Sequence, residues 1–141
     1  MTNNSALASV YVGNVSLVVQ FVQIASNNLL TSLDFASLTY VGQQLLVSDN
    51  AALSSLDFGA LAFVGEFVLI NNNAVLESLN LPVLTVVREQ FQVTSNANLT
   101  IVSAPLVVKI SSAGNVGVVL CDDATSLSYS AAIVQVCDIA A

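Results

Sequence analysis

Histidine is missing altogether, and the 141-residue chain carries only two basic side chains, Arg88 and Lys109. Without imidazole, histidine acid-base chemistry and Ser-His or Cys-His nucleophiles are excluded. Two cations cannot neutralise a run of phosphates, the step that supplies most nucleic-acid affinity, so nucleic acid is excluded as a partner and anionic membrane surfaces are disfavoured. Nine carboxylates leave a net charge of -7. Charge of either sign is scarce, 8% of residues, against roughly a quarter in an average soluble domain, while 55% are hydrophobic. Asn, Ser, Thr and Gln must therefore keep the surface wet.

Long hydrophobic runs are missing too. The most apolar candidate, "VYVGNVSLVVQFVQIA" over 10–25, is interrupted by Asn14, Ser16, Gln20 and Gln23. A spanning helix needs about 18 apolar residues without such breaks, so no membrane insertion is expected. The opening "MTNNSALASV" has neither the basic region nor the apolar run of a signal peptide. Either the chain is a mature or excised segment, or it is made and kept inside a cell. No window of ten or more residues keeps a helical period, which leaves strands and turns.

What the chain has in abundance is self-similarity. "ASNNLLTSLDFASLTYVG" at 25–42 is followed by "SDNAALSSLDFGALAFVG" at 48–65, a shift of 23 residues. The same step links Asn4, Asn27, Asn50, Asn73 and Asn96, and in parallel Leu7, Leu30, Leu53, Leu76 and Leu99. Further columns are Val18, Val41, Val64, Val87; Val22, Leu45, Val68, Phe91; and Ile24, Val47, Ile70, Val93. Within each unit, Leu56-Asp57-Phe58 and Val68-Leu69-Ile70 alternate with period two, the mark of short strands with one apolar face. A coil of this size cannot bury its own apolar face, so coils must stack and share a core. The expected fold is all-β: a right-handed β-solenoid of about five 23-residue coils over residues 1–117, closed by a C-terminal cap over 118–141.

Apolar packing does not explain the asparagine column. At a corner the backbone turns inward with unpaired N–H and C=O groups, and a buried unpaired group costs about 1–3 kcal/mol. Asn carries both a donor and an acceptor, so stacked Asn side chains can satisfy the corner backbone and bond one another in a ladder.

"LLVSDNAALSSLDFGALAFVGEFVLINNNAVLESLNLPVLTVV", residues 45–87, resembles the receptor L-domain, a leucine-rich-repeat-like β-solenoid of growth-factor receptor ectodomains and microbial cell-surface proteins. The matching elements are "FVLINNN" at 67–73, "LESL" at 76–79 and "LPVL" at 81–84. The resemblance implies an extracellular or cell-surface location and serves receptors, adhesins and wall proteins alike. Two departures stand out. The repeat starts by Asn4 without the capping element usual in the family, which leaves a sheet edge for further protein or another subunit to cover. Its spacing is also unusually uniform, which suits a structural or adhesive array.

After Pro105 the register is expected to slip, "AP-LVVKI" aligning best with a step of 22, and past 111–117 the repeat fades. The cap holds both cysteines, Cys121 and Cys137. A disulfide there would close a loop worth roughly 3 kcal/mol and imply an oxidising compartment; free thiols are the alternative. Two thiols without His do not make a zinc site, and no metal or cofactor is expected. Asn3, Asn14 and Asn98 stand in N-x-S/T sequons and are candidate glycosylation sites.

Carboxylates recur in columns, Asp34 with Asp57 and Glu66 with Glu89. Their spacing could match the roughly 5 Å of a retaining glycosidase pair, but stacking alone forces that spacing, and a solvated face is the plainer reading. Asp122-Asp123 lacks the fuller oxygen set that calcium requires. Leu17, Tyr40, Phe63 and Val86 form one more column. It is either a second core layer or an outward interaction stripe, flanked by the small residues Ser16, Thr39, Ala62 and Thr85. The leading expectation is a non-catalytic extracellular structural or adhesive module that self-associates end to end or laterally, or contacts other surface proteins and glycans. A peptide- or glycan-binding receptor ectodomain is the alternative, and a carbohydrate-active enzyme a third reading.

Overall fold

The computed structural model describes residues 1–99 and, further on, the strand backbone at 101–103, 109–110, 118–121, 128–129 and 135–136. Every regular element there is a short strand. The first turn contributes β1 (Ser9–Tyr11), β2 (Leu17–Val18) and β3 (Val22–Ala25). The second contributes β4 (Ser32–Asp34), β5 (Tyr40–Val41) and β6 (Leu45–Ser48), and the third β7 (Ser55–Asp57), β8 (Phe63–Val64) and β9 (Val68–Asn71). The fourth contributes β10 (Ser78–Asn80), β11 (Val86–Val87) and β12 (Phe91–Thr94). Beyond it lie β13 (Ile101–Ser103), β14 (Lys109–Ile110), β15 (Val118–Cys121), β16 (Ser128–Tyr129) and β17 (Gln135–Val136).

Each strand pairs in parallel with its counterpart one turn away, so the chain is a β-solenoid of about four regular turns. The longest sheet runs β3-β6-β9-β12-β15-β17 and the second β2-β5-β8-β11-β14. Their registers reproduce the sequence columns: Val22 faces Leu45, Leu45 faces Val68, and Val68 faces Phe91. The third sheet is interrupted. β1 pairs with β4, and β7-β10-β13-β16 form a separate ladder, so β4 and β7 are neighbours without ladder bonds.

The slip expected after Pro105 is not found there. β14 keeps the 23-residue step, Val86 opposite Lys109 and Val87 opposite Ile110. The step becomes 27 only at β15, Phe91 opposite Val118, because 111–117 add length between two strands that still have to pair. β16 holds the 27-residue step against β13, and β17 follows β15 by 16 residues, so parallel stacking continues through the segment expected as a cap.

Two turns per coil bring the apolar columns inward. At one corner the amide of Leu30, Leu53, Leu76 or Leu99 donates to the carbonyl of Asn27, Asn50, Asn73 or Asn96. At another, Leu38 and Leu61 donate to the carbonyls of Phe35 and Phe58. The leucines are then fully buried, together with the Ile24, Val47, Ile70, Val93 column and the stacked rings of Phe35 and Phe58 at 5.5 Å. Full burial of such a side chain stabilises by about 1.5–3 kcal/mol. Entry to the first corner requires a left-handed residue just before each ladder asparagine. Asn3, Ser26, Asp49, Asn72 and Ser95 all have φ between 55° and 58°.

Candidate functional site

The most ordered polar feature is the asparagine column. Asn27, Asn50, Asn73 and Asn96 are completely buried, while Asn4 at the end of the row is exposed. The Oδ1 of Asn50 accepts both the backbone N–H of Asn27 at 3.1 Å and its Nδ2 at 3.2 Å. Asn50 makes the same pair of bonds to Asn73 Oδ1, and Asn73 to Asn96 Oδ1. The ladder is therefore polar, each donor pointing to the later turn. Nδ2 is also within reach of two backbone carbonyls, Ile24 and Ser48 for Asn50, Val47 and Asn71 for Asn73. Each buried amide is thus occupied by its own neighbours, and the ladder's chemistry is structural.

The column Leu17, Tyr40, Phe63 and Val86 lies on the outer face of the second sheet, with Val41, Val64 and Val87 on the inner face. Of the two sequence readings, the outward stripe is the one found. Tyr40 and Phe63 are stacked with centroids 4.8 Å apart and planes 1° from parallel, and Arg88 lies 5.3 Å over the Phe63 ring. Ring faces are thereby engaged along the solenoid axis, and the edges turn outward. The flanking hydroxyls are engaged too: Thr39 and Thr85 donate to the carbonyls of Ser16 and Ala62 at 2.8 and 3.1 Å.

The interrupted sheet carries Ser32, Ser55 and Ser78 beside Asp34, Asp57 and Asn80 on its outer face. Asn80 Nδ2 donates to Asp57 Oδ1 at 3.1 Å, and Asp34 Oδ1 accepts the amide of Ala36. No such bond joins Asp34 to Asp57, the two positions that flank the missing ladder. Like charges opposite one another on a sheet are destabilising, and the gap falls at this step. Glu66 and Glu89 are half-buried and exposed respectively. Among the described residues no group of three or more His, Cys, Asp or Glu is arranged to hold a metal, and no helix is long and apolar enough to cross a membrane.

Asn3, Asn14 and Asn98 are all exposed. The Cys121–Cys137 pairing lies outside the described residues, as do Asp122 and Asp123.

Two features escaped sequence reasoning. The left-handed column was hidden because Asn, Asp and Ser alternate in it, although all three are residues suited to turns. The other is close backbone contact. A Cβ on Gly42 would stand 1.9 Å from the carbonyl oxygen of Val19, and one on Gly65 1.9 Å from that of Gly42. The recurring Val-Gly dipeptides at 41–42 and 64–65 were its signal.

These features define a class: a β-solenoid repeat protein whose turns are tied by an inward asparagine ladder. The chain matches no family model, and neither a curated protein nor a solved structure matches it.

Proposed function

We propose that the chain is a non-catalytic structural or adhesive repeat module of the cell surface or extracellular space that associates with further copies of itself. The observation that carries this reading is the ladder. Buried amides bond one another through successive turns, so the ladder serves stiffness and repetition. The receptor L-domain resemblance of residues 45–87 supports the same setting, and sequons at exposed Asn3, Asn14 and Asn98 fit a secreted glycoprotein. No metal or cofactor enters this reading. Nucleic acid is not its partner, since Arg88 and Lys109 are the only cations.

A second reading, a peptide- or glycan-binding ectodomain, is favoured by the outward stripe of Leu17, Tyr40, Phe63 and Val86. Size-exclusion chromatography with negative-stain microscopy separates the two. Oligomers that grow with concentration are expected for the structural module; a monomer throughout would overturn it in favour of the second. An enzymatic reading through Asp34 and Asp57 predicts a glycosidase activity abolished by Asp57→Asn.

A further inference from the structure

The only two basic side chains of this acidic molecule belong to neighbouring turns. Arg88 directly follows β11, with its guanidinium over the Phe63 ring, and Lys109 stands opposite Val86 in the β11–β14 pairing, the next place in the Leu17, Tyr40, Phe63, Val86 column. Both basic residues are thus placed at the later end of the outward stripe. Glu66 and Glu89 occupy the column that follows Arg88, so an approaching carboxylate meets Arg88 from the side of the stripe. On the interrupted sheet, Asp34 and Asp57 also stand one turn apart, on its outer face. Among the described residues none of Arg88, Asp34 and Asp57 forms an ion pair: Arg88 rests on a ring, Asp34 accepts the amide of Ala36, and Asp57 accepts from Asn80. Carried on different sheets of one rod, the two sets do not meet within one copy.

Resting on the self-association proposed above, we infer that copies meet side by side, the Arg88 end of one stripe against the Asp34–Asp57 column of the next copy. Charge complementarity names the occupant. A guanidinium is planar and always charged, with N–H donors around its edge, so a ring against one face leaves that edge to a carboxylate. Neighbouring strands repeat at about 4.8 Å, which sets basic residues in successive turns against acidic residues in successive turns. A cation placed between Asp34 and Asp57 also relieves the like-charge opposition at the ladder gap. Exposed ion pairs give orientation more than affinity, and the half-buried Phe63 and Val86 beside Arg88 supply apolar area to the same contact. Because each copy offers a different patch, the contact is heterologous and repeats from copy to copy into a row.

Sedimentation equilibrium of the full chain over a wide concentration range tests this, beside Arg88→Glu, the milder Arg88→Gln and Asp57→Lys, each checked by a thermal melt. The wild type is expected to grow past a dimer, Arg88→Glu and Asp57→Lys to associate about tenfold or more weakly, and Arg88→Gln to fall between. Mixing Arg88→Glu with Asp57→Lys isolates the pairing. The first variant keeps the acidic column and the second keeps Arg88, so the mixture is expected to form heterodimers at concentrations where neither variant associates alone. A mixture that stays monomeric, or variants that associate as the wild type does, overturn this contact while leaving self-association intact. A wild-type dimer that grows no further overturns the row, and a monomer at every concentration overturns the contact and self-association together.

Discussion

Asn50 shows how much one side chain can hold. Its Oδ1 accepts two bonds from Asn27, and its Nδ2 reaches the carbonyls of Ile24 and Ser48 as well as Asn73 Oδ1. Leu at this position adds apolar bulk but leaves several buried backbone groups unpaired, at about 1–3 kcal/mol each. Asn50→Leu is therefore expected to destabilise the chain by about 3 kcal/mol or more in urea unfolding. An unchanged midpoint would remove the ladder as a source of stability. The preceding column gives a contrast. Ser26 sits at φ 58°, where a β-branched side chain is a steric outlier; Ser26→Ile is expected to cost about 1–2 kcal/mol, whereas Ser26→Gly leaves the melting temperature equal or higher. The asparagines were legible because one residue type repeats at one interval. The left-handed column was not, because the backbone asks only for a conformation that several residues tolerate.

At the level of strands, the interrupted sheet places the opposed carboxylates Asp34 and Asp57 where the ladder is missing. The Asp57–Asn80 step keeps its ladder and gains a side-chain bond, while the Asp34–Asp57 step has neither. Asp34→Asn removes one of the two opposed charges and supplies a donor of the kind Asn80 uses. It is expected to stabilise by about 0.5 kcal/mol, the range of a cross-strand pair. Because the wild-type repulsion is between exposed groups, added salt should raise the melting temperature of the wild type more than that of the variant. A variant no more stable than wild type at low salt would assign the gap to backbone geometry instead. The glycine corner is less forgiving. Gly65→Ala places a Cβ against the Gly42 carbonyl oxygen, which is backbone and cannot swing away, so a loss of more than about 2 kcal/mol or failure to fold is expected. Registers through β12 were readable from the columns, since a core-facing strand cannot slip by one residue without exposing its apolar face; at β14 the expected step of 22 was wrong, because Lys109 and Ile110 keep the 23-residue step. The 27-residue step at β15 was not readable: Phe91, Gln92 and Val93 meet Val118, Val119 and Leu120 after an insertion that breaks the interval on which the reading depends. Nor was the direction of the Leu17, Tyr40, Phe63, Val86 column, since both faces of that sheet are apolar.

For the whole molecule, a stack of near-identical turns behaves as a one-dimensional array in which each turn is stabilised by its own packing and by its neighbours. The second and third turns have neighbours on both sides, and Leu38, Leu61, Val41 and Val64 are fully buried there. In the first turn Leu7, Val10, Val12 and Val18 are only partly buried against the same core. Among the described turns, local opening should therefore cost least in the first. Native-state hydrogen exchange is expected to show the amide of Val12, bonded to the Asp34 carbonyl, exchanging much faster than those of Leu45 and Val68, bonded to the carbonyls of Phe67 and Gln90. Equal protection across all three amides would mean that the solenoid opens only as a unit, with coupling between turns strong enough to erase the difference in burial.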